Sequence, residues 1–214
     1  MDGRKLQDRL YFGLGRSARH TGQIANAFRP AGPFEPLRKE NRFLRLPAAF
    51  VPVTESQKTT NAYGQPLWHG IFDGSYTRTG DYLVCGSSIF FIASQELLLP
   101  LLCVMANRTI SISRPTVQTA TGTNPYGGFM PGKSSSLMSG WPASVLGEER
   151  FAMTATNLPT DQAIPYWNIL VPAVTGVLLS PGDMVTDDLG RSAVIAGSEL
   201  TGLGWRLTAK MATT

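Results

Sequence analysis

Histidine and cysteine are scarce: the 214 residues hold only His20, His69, Cys85 and Cys103. Neither histidine has a second His, Cys or carboxylate at ligand spacing, so no zinc site or other metal site is expected. The cysteines form no Cys-x-x-Cys pair and sit in apolar, strand-like sequence, which favours buried free thiols in a chain made in a cytoplasm. Long apolar runs are also missing. The best, Leu97 to Met105, is nine residues with Pro100 inside it, far short of the roughly 18–20 that a membrane helix needs. The first residues, Met1-Asp2-Gly3-Arg4-Lys5, are polar, so no secretory signal is expected.

Catalytic signatures are equally thin. There is no Walker motif and no Gly-x-Ser-x-Gly elbow. The run Gly13-Leu14-Gly15-Arg16-Ser17-Ala18 has the letters of a dinucleotide fingerprint but no flanking βαβ unit. Asp187-Asp188 and Glu148-Glu149 are adjacent carboxylates, which point to opposite faces of a strand and suit turns. No catalytic residue and no cofactor are assigned, and the chain is not expected to be an enzyme.

What the chain has in quantity is turn chemistry. Its 22 glycines and 15 prolines favour many short strands, and 43% apolar against 16% charged residues is enough for packed cores. Short apolar runs bounded by Gly, Ser and Asn occupy 67–72, 82–84, 89–93, 101–105 and 109–113, and return at 166–172, 176–179, 184–186, 193–196 and 205–209. Between them, 17 of the 26 residues from 115 to 140 are Gly, Pro, Ser, Thr or Asn, the composition of a linker or long functional loop. Residues 116–139 are accordingly expected to be irregular.

The two apolar regions look alike. Trp68, Thr79-Gly80-Asp81, Phe91-Ile92-Ala93 and Glu96-Leu97 are answered in order by Trp167, Pro181-Gly182-Asp183, Val194-Ile195-Ala196 and Glu199-Leu200. Gly at the third position of a type II turn needs positive φ, and the following Asp can hold backbone N–H groups. Gly80, Asp81, Pro181, Gly182, Asp183 and Gly190 are therefore taken as structural turn residues. The expectation is a mainly β chain of two tandem, small, barrel-like domains that arose by duplication. A short N-terminal helix and an extended arm precede them. The limits are 1–49 for the helix and arm, 50–114 for the first β-domain, 115–139 for the linker and 140–214 for the second.

Charge is lopsided. Residues 1–45 hold ten basic side chains against four acidic ones, whereas the remainder holds nine against eleven. Arg4, Lys5, Arg9, Arg16, Arg19, Arg38, Lys39, Arg42 and Arg45 are candidates to face an acidic partner or nucleic acid. Leu6, Leu10, Leu14 and Ala18 give the helix an apolar stripe, weakened by Gly13 and Gly15. Phe28, Phe34, Phe43 and Phe50, in Pro-broken sequence, are candidate arm anchors on a neighbouring subunit.

The segment Leu178-Leu179-Ser180-Pro181-Gly182-Asp183-Met184-Val185-Thr186-Asp187-Asp188-Leu189-Gly190-Arg191, followed by Ala193-Val194-Ile195-Ala196 and a closing Trp205–Lys210 strand, resembles the small-barrel pattern of head-closure proteins. These belong to the head-to-tail connector group of tailed-bacteriophage virion proteins. The likeness covers roughly 176–211, with a weaker echo at 76–113. Asn41 to Phe50 also looks like phage structural proteins. Head-closure proteins usually have one barrel, so the duplication and the basic head depart from the pattern. The resemblance implies a structural component of a tailed-phage virion: a head-to-tail connector, neck or tail ring protein, made in the host bacterial cytoplasm and found in the virion. Its implied partners are further copies of itself, portal, adaptor or tail proteins, with nonspecific contact to packaged DNA. Two alternatives stay open: a tail-fibre adaptor or decoration protein, and a carbohydrate- or nucleic-acid-binding β-module.

Overall fold

The computed structural model describes residues 2–53, 66–115, 134–150 and 164–211. Among these residues, one α-helix, α1 (Gly3–Thr21), is followed by twelve strands. They are β1 (Gln23–Phe28), β2 (Arg42–Pro52), β3 (Leu67–Ile71), β4 (Tyr82–Cys85), β5 (Ser88–Ser94), β6 (Leu101–Ala106), β7 (Arg108–Pro115), β8 (Ser134–Arg150), β9 (Ile164–Val171), β10 (Met184–Asp187), β11 (Ser192–Thr201) and β12 (Gly204–Met211). The chain is mainly β and forms two closed antiparallel six-stranded barrels, ordered β1-β2-β3-β6-β5-β4 and β7-β8-β9-β12-β11-β10. Replacing each strand of the first by the one six places later gives the second. The two tandem barrels thus share one topology, as the repeated landmarks lead one to expect, and closure leaves neither sheet an open edge.

The match extends to single residues. Leu83 and Val185 follow the turn aspartates at the same interval and are buried in the two cores, and Ile92 and Ile195, one residue apart in spacing, are buried there too. Each β5–β6-type hairpin shifts register at the same place, between Ile92 and Ser94 and between Ile195 and Gly197. Trp68 and Trp167 stand opposite Pro52 and Gly147, and opposite Cys103 and Ala209, as equivalent positions should. Only the last sequence landmark diverges. Glu96-Leu97 lies in a turn, whereas Glu199-Leu200 extends β11 into a longer hairpin with Trp205 and Arg206.

Strand pairing moves the domain limits. The segment read as an arm is extended, but its ends are β1 and β2, paired with each other and with β4 and β3. The first barrel therefore begins at Gln23 rather than near residue 50. Prolines 30, 33 and 36 fall between the two strands, and Pro47 and Pro52 lie within β2. The barrels are joined by one residue, Asn107, between β6 and β7. Most of the Gly/Ser/Pro stretch, 116–133, lies outside the described residues; 134–139 belong to β8 and are not irregular.

Barrel interiors explain the alternation. Ala25, Ala27, Leu46, Ala48, Leu83, Phe90, Ile92, Leu101 and Cys103 form the first core, with Tyr11 of α1 and Phe72. The second core, with Ile110, Ile112, Trp167, Ile169, Val185, Ile195, Leu207 and Ala209, also takes in Tyr82, Phe91, Ala93 and Val104 from the outer face of the first barrel. A run such as Phe90-Phe91-Ile92-Ala93 is apolar throughout because both of its faces are buried. Its counterpart Ala193-Val194-Ile195-Ala196 has Val194 and Ala196 exposed.

The buried face of α1 is Gln7, Tyr11 and Ala18, with Leu14 packed beside them. Leu14 and Ala18 lie on this face as expected, but in the first half Gln7 and Tyr11 take the places expected of Leu6 and Leu10, and Leu6 is exposed. Tyr11 wins the inner face because its hydroxyl accepts a bond from Gln95 (3.1 Å) while the ring packs in the core. The two glycines are explained by approach, at least at one position. A Cβ on Gly15 would stand 2.9 Å from that of Asp73.

Candidate functional site

Five of the six turn residues, Gly80, Asp81, Pro181, Gly182 and Asp183, assemble into two copies of one device. Gly80 and Gly182 have φ of +90° and +95°, as expected. Their N–H groups donate to Ile92 and Ile195, both at 2.8 Å, and Ile92 and Ile195 return bonds to the Asp81 and Asp183 carbonyls at 2.9 and 2.8 Å. Asp81 and Asp183 are 1% and 2% exposed. Each carboxylate accepts a backbone N–H three residues back, from Arg78 at 2.9 Å and Ser180 at 2.8 Å. Each is also gripped by two nitrogens of one guanidinium. Arg29 reaches Asp81 at 2.9 and 2.7 Å, and Arg114 reaches Asp183 at 2.7 and 2.9 Å. The same arginines donate to the carbonyls of Tyr76 and Leu178.

A carboxylate this deep costs free energy unless it is paired and hydrogen-bonded, and a bidentate arginine plus a backbone donor meets both needs. Burial alone would push the Asp183 carboxyl up, but the Arg114 guanidinium and the Ser180 N–H outweigh it and hold it below the ordinary range. The pair locks the C-terminal end of β1 (Arg29, the residue after it) or of β7 (Arg114, its next-to-last residue) to the turn before β4 or β10, closing each barrel. The arginines escaped the sequence reading. Their signal was the dipeptide Arg29-Pro30, repeated as Arg114-Pro115, together with Leu46-Pro47-Ala48, repeated as Trp141-Pro142-Ala143.

Gly190 (φ +76°) serves a different turn, found in the second barrel. There Asp187 accepts from Leu189 and Arg191 N–H and from the Arg191 guanidinium at 2.8 and 2.6 Å. Burial works against the charge, yet these bonds hold Asp187 below the usual carboxylate range. These carboxylates are saturated by structural donors, and no group of three or more His, Cys, Asp or Glu that could hold a metal occurs among the described residues. The thiols of Cys85 and Cys103 are free, and burial pushes both above their ordinary range.

The four phenylalanines divide. Phe50 stacks on Phe90 at 3.7 Å inside the first barrel, and Phe28 packs on the second core. Neither is free to anchor a neighbouring subunit. Phe34 and Phe43 are exposed, and the Arg29 guanidinium lies 4.4 Å over the Phe43 ring. The segment 33–35 does grip a neighbour, but that neighbour is β8 of the same chain. Glu35 N–H donates to Ser139 O (2.8 Å), Ser139 N–H to Pro33 O (3.2 Å) and Trp141 Nε1 to Pro33 O (2.7 Å).

The basic candidates do not form one patch. Arg38 is tied to Glu35 at 2.6 Å, and Lys39 and Arg42 stand on the exposed turn entering β2. Arg4, Lys5, Arg9, Arg16 and Arg19 are exposed along α1. Arg16, Arg19 and Arg45 come together, lining a groove of about 530 Å³ between α1, β2 and the turn at 73–76. No protein-family model, curated protein or solved structure matches the chain.

Proposed function

We propose that the chain is a structural virion component of a tailed phage, a head-to-tail connector, neck or tail ring protein that joins neighbouring virion proteins. The observation that carries this reading is the turn at 178–191. The residues that give the resemblance to head-closure proteins form the closing lock of a small barrel, and the same lock is built again around Asp81. Two barrels sharing a core give a compact wall element with turn tips projecting from it. Leu178, Leu189, Leu200 and Leu203 on those tips are exposed, as contacts to neighbouring copies or to portal, adaptor or tail proteins would require. No enzymatic role is proposed, because the buried carboxylates described above are occupied in holding the fold.

Quantitative mass spectrometry of purified particles from the phage that encodes the chain tests the proposal. The expected result is a fixed copy number per particle that matches a ring. Absence from purified particles, with the protein confined to the infected-cell lysate, sinks it.

A further inference from the structure

The exposed side of α1 carries a second regular stripe. Lys5, Arg9, Phe12, Arg16 and Arg19 follow at intervals of four, three, four and three, so they line up along the helix opposite the Gln7-Tyr11-Leu14-Ala18 face. Phe12 is 69% exposed in the middle of four cations. An amphipathic helix that has already buried one face has no folding reason for a central phenylalanine on the other.

At its C-terminal half the stripe forms one wall of the groove. Phe12, Arg16 and Arg19 face Leu44, Arg45, Leu46 and Pro47 of β2 and the turn bearing Asp73 and Tyr76. Tyr76 is 68% exposed, and its backbone is fixed by the Arg29 guanidinium on its carbonyl at 3.1 Å. Gly15 lets α1 sit against Asp73, setting the width of the groove. Arg16, Arg19 and Arg45 take part in no ion pair among the described residues. The acidic group in the groove, Asp73, is engaged in capping the turn through Ser75 N–H at 3.0 Å. Asp2 and Asp8 are the acidic residues on and before the helix; Asp2 caps its first turn.

We propose that this groove binds single-stranded nucleic acid, with Arg16, Arg19 and Arg45 on the phosphates and Phe12 and Tyr76 as stacking platforms for bases. The proposal does not rest on the virion reading. Three guanidiniums against one carboxylate leave the groove with an excess of positive charge, which calls for a polyanion, and two exposed aromatics in its lining, Phe12 from α1 and Tyr76 from the turn, call for planar groups carried by it. The volume is that of a site for a few flat groups and not for a duplex. Continuation of the stripe through Arg9 and Lys5 favours a chain over a mononucleotide.

Fluorescence anisotropy on the intact chain, with a short labelled oligothymidylate, tests this. Binding is expected, tighter than for an abasic deoxyribose-phosphate oligomer of equal charge. Phe12→Ala or Tyr76→Ala should each weaken oligothymidylate roughly five- to a hundredfold and leave the abasic oligomer unchanged. Arg16→Gln with Arg45→Gln should lower the slope of log K against log salt by about 1.4, near 0.7 per lost contact. All four side chains are exposed, so the β circular-dichroism signal should persist in every variant. No binding, equal affinity for the abasic oligomer, or tighter binding of duplex would each overturn the proposal. Polyglutamate competing as well as oligothymidylate would assign the groove to acidic peptide instead.

Discussion

Tyr82 of the first barrel donates its hydroxyl to the carbonyl of Pro142 in the second at 2.7 Å, with its side chain wholly out of solvent. Burial holds the phenol well above its ordinary pKa, so it is a donor at any physiological pH. Around this bond, the Tyr82 ring meets Phe91 and Trp141 edge-on at 6.0 and 5.9 Å. The linking residue Asn107 clamps Val145 N–H and C=O, both at 2.8 Å. The joint between the barrels is thus as well satisfied as either interior.

Equivalent residues should therefore differ sharply in worth. Phe91 is buried in that joint, whereas Val194, its counterpart, is 38% exposed. Phe91→Ala is expected to cost about 3–5 kcal/mol, and Val194→Ala no more than about 0.5 kcal/mol. Tyr82→Phe should cost about 1–3 kcal/mol through the lost hydroxyl bond. Urea unfolding measures all three. Similar losses at Phe91 and Val194 would mean that the shared core is not formed.

The turn glycines offer a test free of packing effects. A Cβ added at Gly182 meets nothing within 4 Å, so only its φ of +95° penalises a side chain. Gly182→Val should cost about 1–3 kcal/mol, and Gly182→Asn less, because Asn tolerates positive φ better. Thermal melts of the two variants give the comparison; equal melting temperatures would contradict it.

Acid should act on the second barrel through its two depressed carboxyls. Asp183 and Asp187 both have folded-state pKa values below the ordinary Asp range. Their stabilisation is complete above the unfolded value of about 4 and is lost as pH falls through the lower folded values. Stability is expected to be flat with respect to these groups near neutrality and to drop below about pH 4. Asp183→Asn should lower stability at pH 7 and flatten that acid limb. An unchanged limb in the variant would show that the Arg114–Asp183 pair is not what acid breaks.

Much of this was legible in sequence because turn chemistry is local. Gly80-Asp81 and Gly182-Asp183 dictate their own backbone, and the two tryptophans and Ile-Ala pairs flank them in the same order at similar spacing. The first barrel's opening strands were not legible. Prolines 30, 33, 36, 47 and 52 spoil the alternation of 23–52, and pairing with β3 and β4 overrides that signal. The joint at Asn107 was hidden for a related reason. The Gly/Ser/Pro composition of 115–140 draws the eye away from residue 107, where the joint is a single residue between two strands. The groove escaped because α1, β2 and the turn at 73–76 are distant in sequence. Only the fold brings Phe12 and Tyr76 to one groove.

Truncation separates the helix from the barrel it covers. Residues 1–20 contribute Tyr11 and Leu14 to the first core, the buried Ala18, and the Gln7 side-chain Oε1, which accepts from Leu98 N–H at 2.6 Å, but no strand. Each large side chain so buried contributes about 1.5–3 kcal/mol. Deleting residues 1–20 should lower the melting temperature while keeping the β signal in circular dichroism, since all twelve strands remain. Deleting residues 1–50 removes β1 and most of β2, takes Arg29 from Asp81, and leaves a buried carboxylate and two unpaired strands. That protein is expected to lose much of its β signal and to aggregate. A soluble 51–214 fragment with full β content and a cooperative melt would mean that the first barrel does not need its opening strands, and the strand order described above would be wrong.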